Sequence, residues 1–193
     1  MIVLGESVVG VIVGLSASAE HGTLGGSGIA LGVLGLAIGF ALWWIYFDFV
    51  ARRAPRPTFL AALLWVYLHM AVMIAITMVG AGVAVAIADS AAGGLTAPAR
   101  YLLVGGVAVG LLSVAALQLT LAREADEPTH RRFSPGLKSG VAVVLAVLGA
   151  LDLGWSTAAL LVVPLCGLAL PMAYGAYVWF TQDLPAERVP PRG

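Results

Sequence analysis

Apolar residues along this chain fall in runs too long for the helices of a soluble core, broken by short clusters of Gly, Pro, Asp, Arg and Glu. A helix needs about 20 mostly apolar residues to cross the hydrocarbon of a bilayer. Six segments meet or approach that length: Ile2–Ala19, Gly28–Val50, Phe59–Ala88, Pro98–Ala122, Leu137–Leu151 and Trp155–Phe180. The fifth is short, and Asp152 with Gly154 reads as a tight turn leading into the sixth rather than a domain boundary. The pattern predicts an all-α fold, a polytopic transmembrane helical bundle of about six spans over residues 1–182. The polar, proline-rich segment 183–193 is expected to be a disordered cytoplasmic tail.

Composition removes the soluble alternatives. Of 193 residues, 61% are apolar and 10% charged, against roughly 25% charge in soluble domains. The mean hydropathy is +1.00. The net charge of zero hides an asymmetry that bears on topology. Arg52, Arg53 and Arg56 follow the second segment; Arg123, Arg131, Arg132 and Lys138 follow the fourth; Arg188 and Arg192 lie near the end. Of the ten basic residues, only Arg100 falls on the other side of a six-span count. By the positive-inside bias both termini of this multi-pass chain are expected to be cytoplasmic. Such a distribution offers no basic surface for nucleic acid. Cys166 is the sole cysteine, so neither an intrachain disulfide nor a cysteine metal cluster can form.

The opening run resembles a signal peptide in its "SASA" stretch before Glu20, but it has no basic n-region and Glu6 interrupts its apolar core. It is therefore read as the first span. Glycine spacing indicates how the spans pack. Gly25, Gly28, Gly32, Gly35 and Gly39 recur at steps of three and four along the second segment; Gly10 and Gly14 repeat the device in the first, and Gly106 and Gly110 in the fourth. Small residues at this period let backbones approach closely where no hydrophobic effect separates helix from lipid.

Polar residues inside the spans are the candidate chemistry. Glu6, Asp48 and His69 are expected in the cytoplasmic half of the membrane, with Ser7 and His69 as partners for Glu6. An ionised carboxylate in hydrocarbon costs from ~3 to more than 10 kcal/mol, so such groups pair, neutralise or line water. Glu6 and His69 are expected to face each other within hydrogen-bonding reach and to titrate as a coupled unit, a proton relay or a passive clasp. Asp48 with Arg52 at i,i+4 also reads as an interfacial ion pair. Pro164 and Pro171 in the sixth segment each remove a backbone donor, which either kinks the helix or frees carbonyls for an ion.

Three blocks together, "IVLGESVV" at residues 2–9, "ALWWIYFDFV" at 41–50 and "WVYLHM" at 65–70, resemble the low temperature requirement protein A family of bacterial membrane proteins. The resemblance implies that Glu6, Ser7, Trp43, Trp44, Tyr46, Asp48, Tyr67 and His69 are characteristic positions, with Trp44, Tyr46 and Tyr67 in supporting roles. It corresponds to the C-terminal half of typical members, which implies self-association or a missing N-terminal half as partner.

Enzyme signatures are absent from the sequence. "GESVVG" lacks the glycine register of a nucleophile elbow. There is no phosphate loop, no H-E-x-x-H and no C-x-x-C. His21, His69 and His130 are too scattered for a metal, and no cofactor is expected. A hydrolase built on Ser7, His69 and Asp48 is set aside because each has a simpler membrane role. Two readings remain: a transporter or channel moving a proton, cation or small solute through a Glu- and His-containing interior, or a non-transporting membrane protein or subunit in envelope or cold adaptation. Neither reading names the substrate.

Overall fold

The computed structural model describes residues 2–22, 25–51, 53–89, 94–122, 130, 132–151 and 153–181, with side chains from Gly5 onward. Six helices account for nearly all of them: α1 (Ile2–Glu20), α2 (Gly26–Ala51), α3 (Phe59–Ala88), α4 (Ala97–Thr120), α5 (Phe133–Ala150) and α6 (Thr157–Thr181). All but α1 are long and apolar enough among the described residues to cross a membrane. The fold is an all-α membrane bundle. Its one departure from helix and turn among the described residues is an antiparallel bridge between Pro55 and Leu121.

The helix starts follow local chemistry. Thr58 caps α3 by accepting a hydrogen bond from the Ala61 amide at 3.3 Å, and Ser156 serves the Ala159 amide of α6 in the same way. Pro98 and Pro135 occupy first turns, where a missing amide donor costs nothing. α5 begins at Phe133 rather than Leu137, so one more turn of helix precedes the expected start. Pro164 and Pro171 both lie within a continuous α6 and both are buried. Gly154, at φ +64°, supplies the left-handed turn between α5 and α6 that a side chain would oppose. Asp152 lies outside the described residues.

Helix α3 is the central element, with α1 along one side and α4 along the other. A Cβ on Gly10 would lie 3.0 Å from the Gly80 Cα, and one on Gly14 would lie 2.8 Å from the Ala84 carbonyl oxygen. The Ser18 hydroxyl donates to the Ile87 carbonyl at 3.0 Å. Residues rise together along both helices, so α1 and α3 run parallel. The α2 glycines face the same pair: Gly32 meets Val11, Gly35 meets Val83 and Gly39 meets Ser7, while Gly28 is buried on the same face. α6 closes the bundle against α2 and α5.

Arg53, Arg56, His130 and Arg132 gather at one end of the bundle, and Arg100 lies at the other. At the basic end the loop between α2 and α3 is tied to the end of α4. The Arg56 amide donates to the Thr120 carbonyl at 3.0 Å, and the Ala122 amide donates to the Ala54 carbonyl at 2.9 Å. Arg52, Arg123, Arg131 and the 183–193 segment lie outside the described residues, and with them the Asp48–Arg52 pair.

Candidate functional site

The last turn of α2 organises the polar chemistry. From Phe47 to Ala51 the helix widens into a π turn, a distortion that recurs at functional sites because it re-aims side chains. Three residues here face three different neighbours. Tyr46 turns to α3, Asp48 to α6 and Phe49 to α5.

Tyr46 meets His69. The Tyr46 hydroxyl and His69 Nε2 are 2.9 Å apart, and His69 Nδ1 lies 2.6 Å from the Trp65 carbonyl oxygen. A carbonyl only accepts, so Nδ1 carries a proton, and in the neutral ring Nε2 accepts from Tyr46. On ring protonation the pair inverts, with Nε2 donating to the phenol oxygen. The Trp65 indole is 4.2 Å from the imidazole, centroid to centroid.

Asp48 lies against α6. Its Oδ1 accepts from the Trp179 indole N–H at 3.2 Å, and its Oδ2 occupies the space where Gly175 has no side chain.

Beneath Phe49 is the group that sequence reasoning placed wrongly. Lys138, expected at the start of the fifth span and counted with the cytoplasmic basic residues, is 0% exposed and lies inside the bundle. Its Nζ donates to Ser134 Oγ at 2.7 Å and to Gln118 Oε1 at 3.1 Å, and sits 3.3 Å above the Phe49 ring centroid. Ser134 and Gln118 are themselves hydrogen-bonded at 3.1 Å. Burial is the main influence on this amine, and the charges of Asp48 and Arg53 act on it beside that. The early start of α5 explains this burial. A helical Ser134 stands four residues before Lys138, one turn away on the same face, and that face looks into the junction of α2 and α4. The signal that could have found it is "SPGLKSG": a Ser with a Lys at i+4, behind a proline suited to a first turn.

The expected pairing of Glu6 with His69 is not formed. Glu6 lies beside Gly80, where a Cβ would be 3.1 Å from the Glu6 carbonyl oxygen. His69 precedes Gly80 by eleven residues on α3, about 16 Å along the axis. Gly80 itself is only eight residues from Ala88, about 12 Å from the end of α3 opposite the basic one. Glu6 is therefore farther from the basic end than counting from Met1 implies. Counting assumed that α1 enters level with the other helices, whereas the Gly10–Gly80 contact sets its register higher. Ser7 is buried at Gly39. Ser7, His69 and Asp48 thus sit in three separate surroundings, and no hydrolase-like triad forms. Trp44 and Tyr67 are exposed on the bundle's outer surface, and Trp43 stacks in an aromatic row with Phe40 and Phe47. Among the described residues no group of His, Cys, Asp or Glu could hold a metal ion. His130 meets Tyr174, whose hydroxyl accepts from its backbone amide at 3.0 Å.

A bundle with five membrane-length helices and charged side chains inside it is a multi-pass integral membrane protein. The sequence profile described as bacterial low temperature requirement A protein (LtrA) matches residues 1–177, and the chain belongs to that family. No curated protein and no solved structure matches it.

Proposed function

We propose that this LtrA-family protein moves a proton, cation or small solute across the bacterial inner membrane, with its basic end and both termini cytoplasmic. The observation that supports this most is Lys138, fully buried within a membrane span among Gln118, Ser134 and Phe49 and within the field of Asp48. Ionisable groups at membrane depth are costly to keep and mark ion or proton routes. Three such groups, Asp48, His69 and Lys138, stand around one π turn of α2, each with a partner that accommodates a change of charge. Asp48 and His69 bind or pass the ion, Tyr46 relays to His69, and Lys138 supplies a third protonatable group beneath Phe49. Glu6 and Ser7 form a separate polar point farther along the bundle. Glu6 makes no hydrogen bond or ion pair among the described residues, which favours self-association or another membrane segment against α1.

The test is flux into proteoliposomes carrying an internal pH dye, driven by a potassium diffusion potential and repeated with sodium and potassium gradients. The wild type is expected to conduct, and Asp48→Asn and His69→Gln each to lower the rate at least tenfold. Absence of any flux, or variants that match the wild type, defeats the proposal.

The non-transporting alternative draws on a different observation. The α1, α2 and α3 seam is glycine-packed, and the cavity between α2, α3 and α4 beside Tyr46 measures only about 10 Å³, near the minimum for one water. A protein with no flux but with native stability dependent on Lys138 and the glycines fits that alternative.

A further inference from the structure

A recess of about 430 Å³ lies on the outside of the bundle between the first turns of α3 and the last turns of α4. Leu60, Leu64 and Leu68 form one wall at helical spacing, Ala116 and Leu119 form the other, and Arg56 stands at the mouth. We propose that this trough is a binding site for an anionic phospholipid, with the acyl chains along the leucine wall and the headgroup phosphate on Arg56.

Three observations support that occupant. From Leu60 to Leu68 the wall rises about 12 Å, most of one leaflet's share of a ~30 Å hydrocarbon layer. The charge is at the correct end, because Arg56 is exposed among the other arginines of the basic end, where a headgroup would lie. The mouth is also preorganised. The Pro55–Leu121 bridge and the Arg56 amide bond to Thr120 fix the backbone, and one guanidinium N–H is committed to the Leu119 carbonyl. A guanidinium has five N–H donors in a planar fork, so the rest remain for phosphate oxygens. A protein helix fits less well. A helix is ~10 Å across along its whole length, whereas extended acyl chains are slimmer.

Native mass spectrometry of the full chain tests this, by titrating detergent-solubilised protein with phosphatidylglycerol or phosphatidylcholine of identical acyl chains. The wild type is expected to retain phosphatidylglycerol at least fivefold more tightly than phosphatidylcholine. Arg56→Gln should bring the two within twofold. Ala116→Leu, which fills the trough, should weaken both lipids at least fivefold. Leu64→Trp, at a partly exposed position that tolerates bulk, carries the same arm if Ala116→Leu does not fold. Unchanged headgroup preference in Arg56→Gln, or unchanged retention in the trough-filling variants, overturns the proposal. So does a dimer crosslinked through Leu60→Cys that excludes lipid, which would assign the trough to a second copy of the chain.

Discussion

Replacing Gln118 with leucine should destabilise the bundle more than removing the buried lysine it serves. In the native structure Gln118 Oε1 accepts from Lys138 Nζ at 3.1 Å and from the Ser134 hydroxyl at 3.1 Å. Gln118→Leu withdraws both acceptors and leaves an amine that is 0% exposed with Ser134 alone. A hydrogen bond to a charged group contributes about 1.5–3 kcal/mol, and breaking a buried polar pair from one side costs about 3–5 kcal/mol. A loss near 3 kcal/mol follows. For a chain of this size that lowers Tm by about 6–12 °C. Lys138→Met differs, because it removes the buried charge together with its desolvation penalty. The thioether chain still lies on the Phe49 ring, and Gln118 and Ser134 still bond each other. The loss of up to ~2 kcal/mol of cation–π attraction is offset by the relief of desolvation, leaving a net change within about 1 kcal/mol. The double variant should therefore be more stable than Gln118→Leu by about 2 kcal/mol, a coupling that only contacting residues show. Thermal unfolding in detergent micelles, confirmed by steric trapping in bicelles, measures all four proteins. If Lys138→Met is the least stable of them, or if Gln118→Leu matches the wild type, the account of this cluster is wrong.

Three further outcomes are expected. Gly10→Ala places a methyl on the Gly80 backbone, which cannot yield as a side chain can, so stability should fall by about 1–3 kcal/mol; Gly5→Ala, with open space around it, should change nothing, and equal losses in the two would refute the α1–α3 register. Tyr46→Phe removes one neutral hydrogen bond, about 0.6 kcal/mol in a membrane bundle, yet should cut proton flux at least tenfold; a flux matching the wild type removes Tyr46 from the route. In a Cys166→Ser background, a cysteine at Thr58 should resist an impermeant thiol reagent applied outside intact cells while one at Glu20 reacts, and the reverse pattern inverts the proposed topology.

The sequence alone determined the membrane environment, the all-α class and the helices themselves, because the hydrocarbon requires spans of a minimum length whose backbone polar groups are satisfied internally. Five of the expected spans agree with the structure to within two residues at each end. The glycine steps on α2 were likewise visible, since a helical repeat in sequence is a stripe in space. What could not be read was the level of one helix against another. Glu6 and His69 were placed together by counting rise from chain ends, but the height of α1 is decided where Gly10 meets the Gly80 backbone, a contact between residues seventy positions apart. Lys138 was missed for a related reason. Hydropathy counts a lysine as polar wherever it stands, so Lys138 reads as one of the basic residues at the edge of the fifth span, whose expected start at Leu137 omits the turn that carries Ser134. Only the assembled bundle shows Gln118, Ser134 and the Phe49 ring arriving from α4, α5 and α2 to enclose its amine. Such burial depends on partners that local sequence does not contain, and a polar group enters a bundle only where those partners converge.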